Sequence, residues 1–174
     1  MKELLDKLSS YNIFNYLLPG ILFAVIGDWL TAYSLLLEDI VLGVFVYYFY
    51  GLIISRIGSI IIEPFLKRIK ILQFAPYADF VRASKTDEKI ELLSESNNMY
   101  RTLLSTLVCL LLLQLFERLE KIYPAVSEHY ATITILLLVL LFVFSYRKQT
   151  DYISKRIKQA ILSEDTNKTD KKKK

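Results

Sequence analysis

Apolar residues in this chain are gathered into long blocks rather than spread at amphipathic spacing, and the block from Ile40 to Ile62, IVLGVFVYYFYGLIISRIGSIII, organises the rest. A hydrocarbon core of about 30 Å needs roughly 20 apolar residues in a helix, and this block meets that length. Three more blocks follow the same rule: Tyr11 to about Leu30, Met99 to Phe116, and Tyr130 to Tyr146. Only helices and closed barrels satisfy their backbone inside lipid. The alternating ten-residue strands of a barrel are not seen, and five Gly and four Pro leave little for turns. The pattern therefore predicts an all-α, polytopic membrane protein with about four transmembrane helices.

The polar stretches give the connections. Met1 to Ser10 places Leu4, Leu5 and Leu8 on one face among Lys2, Glu3, Asp6 and Lys7, as in an interfacial helix. Pro19-Gly20 predicts a kink in the first span. Thr31 to Asp39 reads as a short turn, and Glu63-Pro64 as the stop of the second span, with Pro64 opening a new helix. Phe65 to Phe74 then forms a basic amphipathic segment, ended by Ala75-Pro76. A helix is expected after Thr86, and Asn97-Asn98 as a stop or bend. Glu117 to Lys121 continues the third span into water until Pro124. The fourth runs without a breaker into Arg147 to Leu162, where Ile153, Ile157 and Ile161 recur every four residues, so one long basic C-terminal helix is expected. Four regions follow: 1–62 with the interfacial helix and first two spans, 63–101 as a cytoplasmic helical loop, 102–163 with the last two spans and their extension, and 164–174 as a disordered basic tail.

Charge adds orientation. Lys and Arg number seven from Glu63 to Thr102 and ten from Arg147 onward, against none in 31–39 and two in 117–130. The positive-inside rule puts both termini and the long loop in the cytoplasm of a bacterial inner membrane. Mean hydropathy is +0.35 and net charge +4, but the basic residues lie beside span ends without a recognition motif. Lipid is the expected partner of that charge, and nucleic acid is not expected as a direct ligand. No cleavable signal peptide is expected, because the first block lacks a small-residue cleavage site. The single cysteine, Cys109, excludes a disulfide framework and reads as a packing residue.

Candidate chemistry is confined to polar residues inside the spans. Arg56 is costly in lipid and must pair, face a cavity or snorkel to the headgroups, since it lies about 10 Å from Glu63 by helix rise. Tyr47, Tyr48 and Tyr50 each want a hydroxyl partner, which favours a protein-facing or water-lined surface. Gly51, Ser55 and Ser59 form a small-residue ladder suited to helix packing. Asp28 reads two ways: deep in the bilayer if the first span continues to Leu37, or facing water beside an interfacial Trp29 if it ends near Leu30, the favoured boundary. There is no P-loop and no zinc-ligand spacing, and His129 is the only histidine. No catalytic, cofactor or metal residue is assigned, and an enzyme is not expected.

The stretches FNYLLPG (Phe14 to Gly20), YYFYGLIISRIGSIIIEPFLK (Tyr47 to Lys67), LLSESNNMYRT (Leu92 to Thr102) and SYRKQTDYISKRI (Ser145 to Ile157) together resemble a family of small bacterial membrane proteins without assigned chemistry. In size and layout the chain is also similar to accessory membrane proteins of anti-phage systems, notably the pore-forming accessory protein of type VI-B CRISPR loci and the four-helix component of Kiwa. The CRISPR family carries an Arg followed four to six residues later by His; here Arg147 is followed by Tyr152, which counts against ribonuclease activity. The resemblance implies an oligomeric pore or membrane-perturbing effector in defence, for which the small-residue ladder would supply the homo-oligomer contact. The alternative is a non-conducting anchor that recruits a cytoplasmic protein. A third reading, a small proton-coupled transporter, would use Asp28.

Overall fold

The structure, a computed structural model, describes residues 12–123 and 125–171, with side-chain surroundings described for 12–123 and 129–162. Its elements are α1 (Ile13–Leu30), α2 (Ile40–Arg68), α3 (Tyr77–Ala83), α4 (Lys89–Ile122) and α5 (Ala125–Lys171). No strand occurs among the described residues. All but α3 are long and apolar enough to cross a membrane. The expected segment Met1 to Ser10 lies outside the described residues.

Each of two prolines follows a widened helical turn. A π-helical turn, Ile13–Leu17, precedes Pro19, and another, Gly58–Ile62, precedes Pro64. Leu18 N–H donates to Ile13 O and Glu63 N–H to Gly58 O, each reaching back five residues. Proline lacks an N–H and its ring crowds the carbonyl four residues back; a widened turn relieves that crowding without breaking the helix. Glu63-Pro64 is therefore no stop, and α2 continues to Arg68.

The amphipathic helix expected over Phe65 to Phe74 is only its first turn. Lys70 has φ 63°, and its N–H bonds Lys67 O at 3.1 Å while Ile71 N–H bonds Leu66 O at 3.0 Å. That pair of bonds closes a helix end through a left-handed residue. Asn97-Asn98 neither stops nor bends the backbone into a separate element: α4 runs through both, since each Asn costs only a few tenths of a kcal/mol in a helix. Asp87, two residues before α4, accepts Lys89 N–H at 2.9 Å on Oδ1. The long C-terminal helix is present as expected, and its backbone stays helical to Lys171, past the point where the charge run led us to expect disorder. No Pro or Gly interrupts that run.

α1 and α2 pack closely side by side, α4 lies across both, and α5 touches α2 and α4 more lightly. The core between them is small and polar. Thr102 and Ser105 are fully buried, as are Ser55, Thr106 and Asn15, beside only a few apolar residues such as Ala24, Ile54 and Leu110. Large apolar side chains instead point outward. That inversion suits helices surrounded by lipid, where close approach and interhelical hydrogen bonds replace hydrophobic burial.

Candidate functional site

The chemistry-bearing residues lie along one seam between α1, α2 and α4 and at the two ends of the bundle. The seam begins where α1 and α2 touch backbone to backbone. A Cβ on Gly20 would strike the Tyr47 carbonyl oxygen, and one on Gly51 the Tyr16 carbonyl oxygen. These glycines allow the approach. Tyr16 then meets Tyr48 edge to face at 5.5 Å, Phe23 meets Tyr50 at 5.8 Å, and Arg56 Nη2 donates to Tyr16 Oη at 3.2 Å. Further along, Thr102 Oγ1 lies 3.4 Å from Ser55 Oγ and bonds Asn98 O at 2.9 Å. Ser105 and Thr106 bond the carbonyls four residues back on their own helix. Serine and threonine can satisfy themselves this way, so they fill a core without needing water.

One end is charged. The buried Glu63 carboxylate accepts from Lys67 Nζ at 2.7 Å and from Arg101 Nη1 at 2.9 Å, with its own side chain 8% exposed. Beside it Lys148 Nζ donates to Ser59 O at 2.6 Å and Ser59 Oγ at 2.8 Å. The backbone explains this last contact. In the π turn the Glu63 N–H goes to Gly58 O, so the remaining partner for Ser59 O is residue 64, a proline with no N–H. Lys148 of α5 supplies the missing donor. Arg56 Nε and Arg101 Nε are buried with no hydrogen-bond partner among the described residues.

The opposite end is held by tyrosines and acids. Asp28 Oδ1 accepts the N–H of Leu35 at 2.8 Å and of Leu36 at 3.4 Å, folding the 31–39 turn back over α1. Tyr47 Oη accepts Leu37 N–H at 2.9 Å. Asp39 caps α2 through Leu42 N–H at 3.0 Å. Tyr33 Oη donates to Glu120 Oε2 at 2.5 Å, tying the turn to the end of α4. Burial, the hydrogen bond and the Glu120 charge together push the Tyr33 phenol up to about 12.

The residues singled out in the sequence thus have protein partners. Arg56 turns to α1; Tyr47, Tyr48 and Tyr50 line the α1–α2 contact; Gly51, Ser55 and Ser59 meet α1, α4 and α5 of the same chain. α1 ends at Leu30, leaving Trp29 82% exposed and Asp28 in the last turn. His129 is exposed and Cys109 half-buried. Glu63, Arg101 and Lys148 were not singled out. A signal existed for the first two, an acid and a base at matching ends of consecutive apolar blocks. Nothing pointed to Lys148, which needs the π turn to be known.

Among the described residues no group of three His, Cys, Asp or Glu is placed to hold a metal ion. Compared with protein-family models, curated proteins and solved structures, the chain matches none.

Proposed function

We propose that this protein is a multi-pass scaffold of a bacterial inner membrane that presents a basic cytoplasmic surface to a protein partner. One observation carries the reading: the polar groups of the candidate spans turn inward to one another, leaving a lipid-facing exterior that is mainly apolar. Arg56, Ser55, Thr102, Ser105 and Glu63 are spent on contacts inside the chain, whereas Val41, Phe45, Leu107, Leu111 and Leu136 point out. A pore built between copies needs polar walls, and a ladder already buried inside the protomer supplies neither wall nor contact. Both termini and residues 69–88 are assigned to the cytoplasm by the excess of Lys and Arg at the Glu63 end. The resemblance to accessory membrane proteins of anti-phage systems supports a defence effector as the partner.

α5 supports a second reading. Only 11% of its most apolar window is buried, against 28% for α1 and α4, so a second copy could pack there and supply the contact between copies that an oligomeric pore needs. The two are separated by replacing residues 70–87 with a flexible linker of equal length, which leaves the long helices whole. For a scaffold, in-cell crosslinking captures one defined cytoplasmic protein, and the replacement releases it from the membrane. Stepwise currents from the purified chain in planar bilayers, unaltered by the replacement, would overturn the scaffold and favour the pore.

A further inference from the structure

Where α5 leaves its apolar block, Ser59, Ile60, Pro64, Phe144, Arg147, Lys148 and Asp151 line an open groove of about 230 Å³ between α2 and α5. We infer that this groove binds a phosphate-bearing anion, taken from an anionic phospholipid headgroup or from free phosphate.

The donors come first. An ammonium has three N–H groups; Lys148 commits two to Ser59 and has one left. Arg147 is exposed and forms no salt bridge among the described residues, so its guanidinium fork is available. The surrounding field is positive as well. Lys148 lies within electrostatic range of Arg56, Lys67 and Arg101, and of Glu63, whose carboxylate already holds two of those cations. Asp151 is the only carboxylate lining the groove, opposed by two lining cations. An anion entering there is attracted without having to break a protein ion pair.

The walls fit the same ligand. Ile60, Pro64 and the half-exposed Phe144 are apolar, suiting the glycerol and first acyl carbons beside a headgroup, while Arg147 and Lys148 stand at the end of the apolar run. Basic pockets between helices on the cytoplasmic side are a recurrent way to hold anionic headgroups. The site serves a scaffold and a pore alike, so its failure would leave the proposed function untouched.

Native mass spectrometry of the full chain released from detergent, titrated with phosphatidylglycerol, phosphatidylcholine or inorganic phosphate, tests it. Phosphatidylglycerol adducts are expected to outnumber phosphatidylcholine adducts. Arg147→Gln, which breaks no salt bridge among the described residues, should weaken them about five-fold. Lys148→Gln should weaken them further, and the double change Lys155→Gln with Arg156→Gln, further along α5, should leave them intact. If inorganic phosphate also binds and displaces the lipid, the anion itself is the ligand; if it does neither, the lipid is. Equal weakening by Arg147→Gln and by the Lys155/Arg156 change, or equal retention of both lipids, overturns the inference.

Discussion

Ser59 shows how one carbonyl can fix the position of a whole helix. Pro64 removes the N–H that this carbonyl would take, and Lys148 of α5 replaces it at 2.6 Å. Without that ammonium the carbonyl of Ser59, a residue only 8% exposed, would lose the donor that stands in for the missing N–H. Hydrogen bonds involving a charged group contribute roughly 1.5–3 kcal/mol. Lys148→Met should therefore destabilise the chain in detergent by about 2 kcal/mol. The sharper check is a double-mutant cycle, because Pro64→Ala restores a backbone N–H at residue 64. On that background Lys148→Met should cost markedly less. Equal costs on both backgrounds, measured by thermal melting, would mean that Lys148 does not act by capping Ser59. The sequence displays Pro64 openly but not its consequence: 89 positions separate the donor from its acceptor.

At the scale of elements, α1 and α2 are held by geometry more than by adhesion. Tyr16 and Gly51 on one side, and Tyr47 and Gly20 on the other, bring two backbones into contact that no side chain could share. Gly51→Ala would press a methyl onto the Tyr16 carbonyl oxygen, and a backbone atom fixed in its own helix has little room to yield. Overpacking of this kind costs about 1–3 kcal/mol. Gly58→Ala meets side chains instead, the Ser105 hydroxyl first and then Ser105 Cβ and Arg101 Cγ at 3.3 and 3.4 Å; turning that hydroxyl away gives up its bond to Arg101 O, but a side chain yields more readily than a backbone, so the change should be milder. Melting in detergent should rank Gly51→Ala well below wild type and Gly58→Ala between the two; equal melting of all three would show that the helices are not in register at Gly51. The ladder of Gly51, Ser55 and Ser59 was legible in the sequence, but its partner was not. Spacing identifies a surface for close packing without saying whether the same chain or another copy fills it. The spans were legible because an apolar block states its own length. The turn between the first two was legible as well, since α1 ends at Leu30 and α2 begins at Ile40; the stops read at Glu63-Pro64 and Asn97-Asn98 were not, because both pairs lie inside continuous helices. α3 was missed since YADFVRA offers one turn of apolar signal, and only its Val81 is buried.

For the whole molecule, the decisive feature is that its two ends differ in chemistry. Tyr33 and Glu120 meet at one end with Asp28, Glu38 and Asp39 in or beside the turn; Glu63, Lys67, Arg101 and Lys148 meet at the other. α5, with 47 residues, extends about 70 Å, against a hydrocarbon core of about 30 Å, so a bilayer around its apolar block leaves a long arm outside. Insertion with the basic end inward puts that arm and residues 69–88 in one compartment and the 31–39 turn in the other. Single cysteines introduced into a Cys109→Ser chain test this directly. Glu38→Cys should react with an impermeant maleimide on intact cells, whereas Ser84→Cys and Gln159→Cys should react only after the membrane is opened. The reverse pattern would turn the scaffold's surface away from any cytoplasmic partner. Labelling of Ser84→Cys and Gln159→Cys from opposite sides would go further, because the Lys148–Ser59 contact requires α2 and α5 to leave the bilayer on the same side.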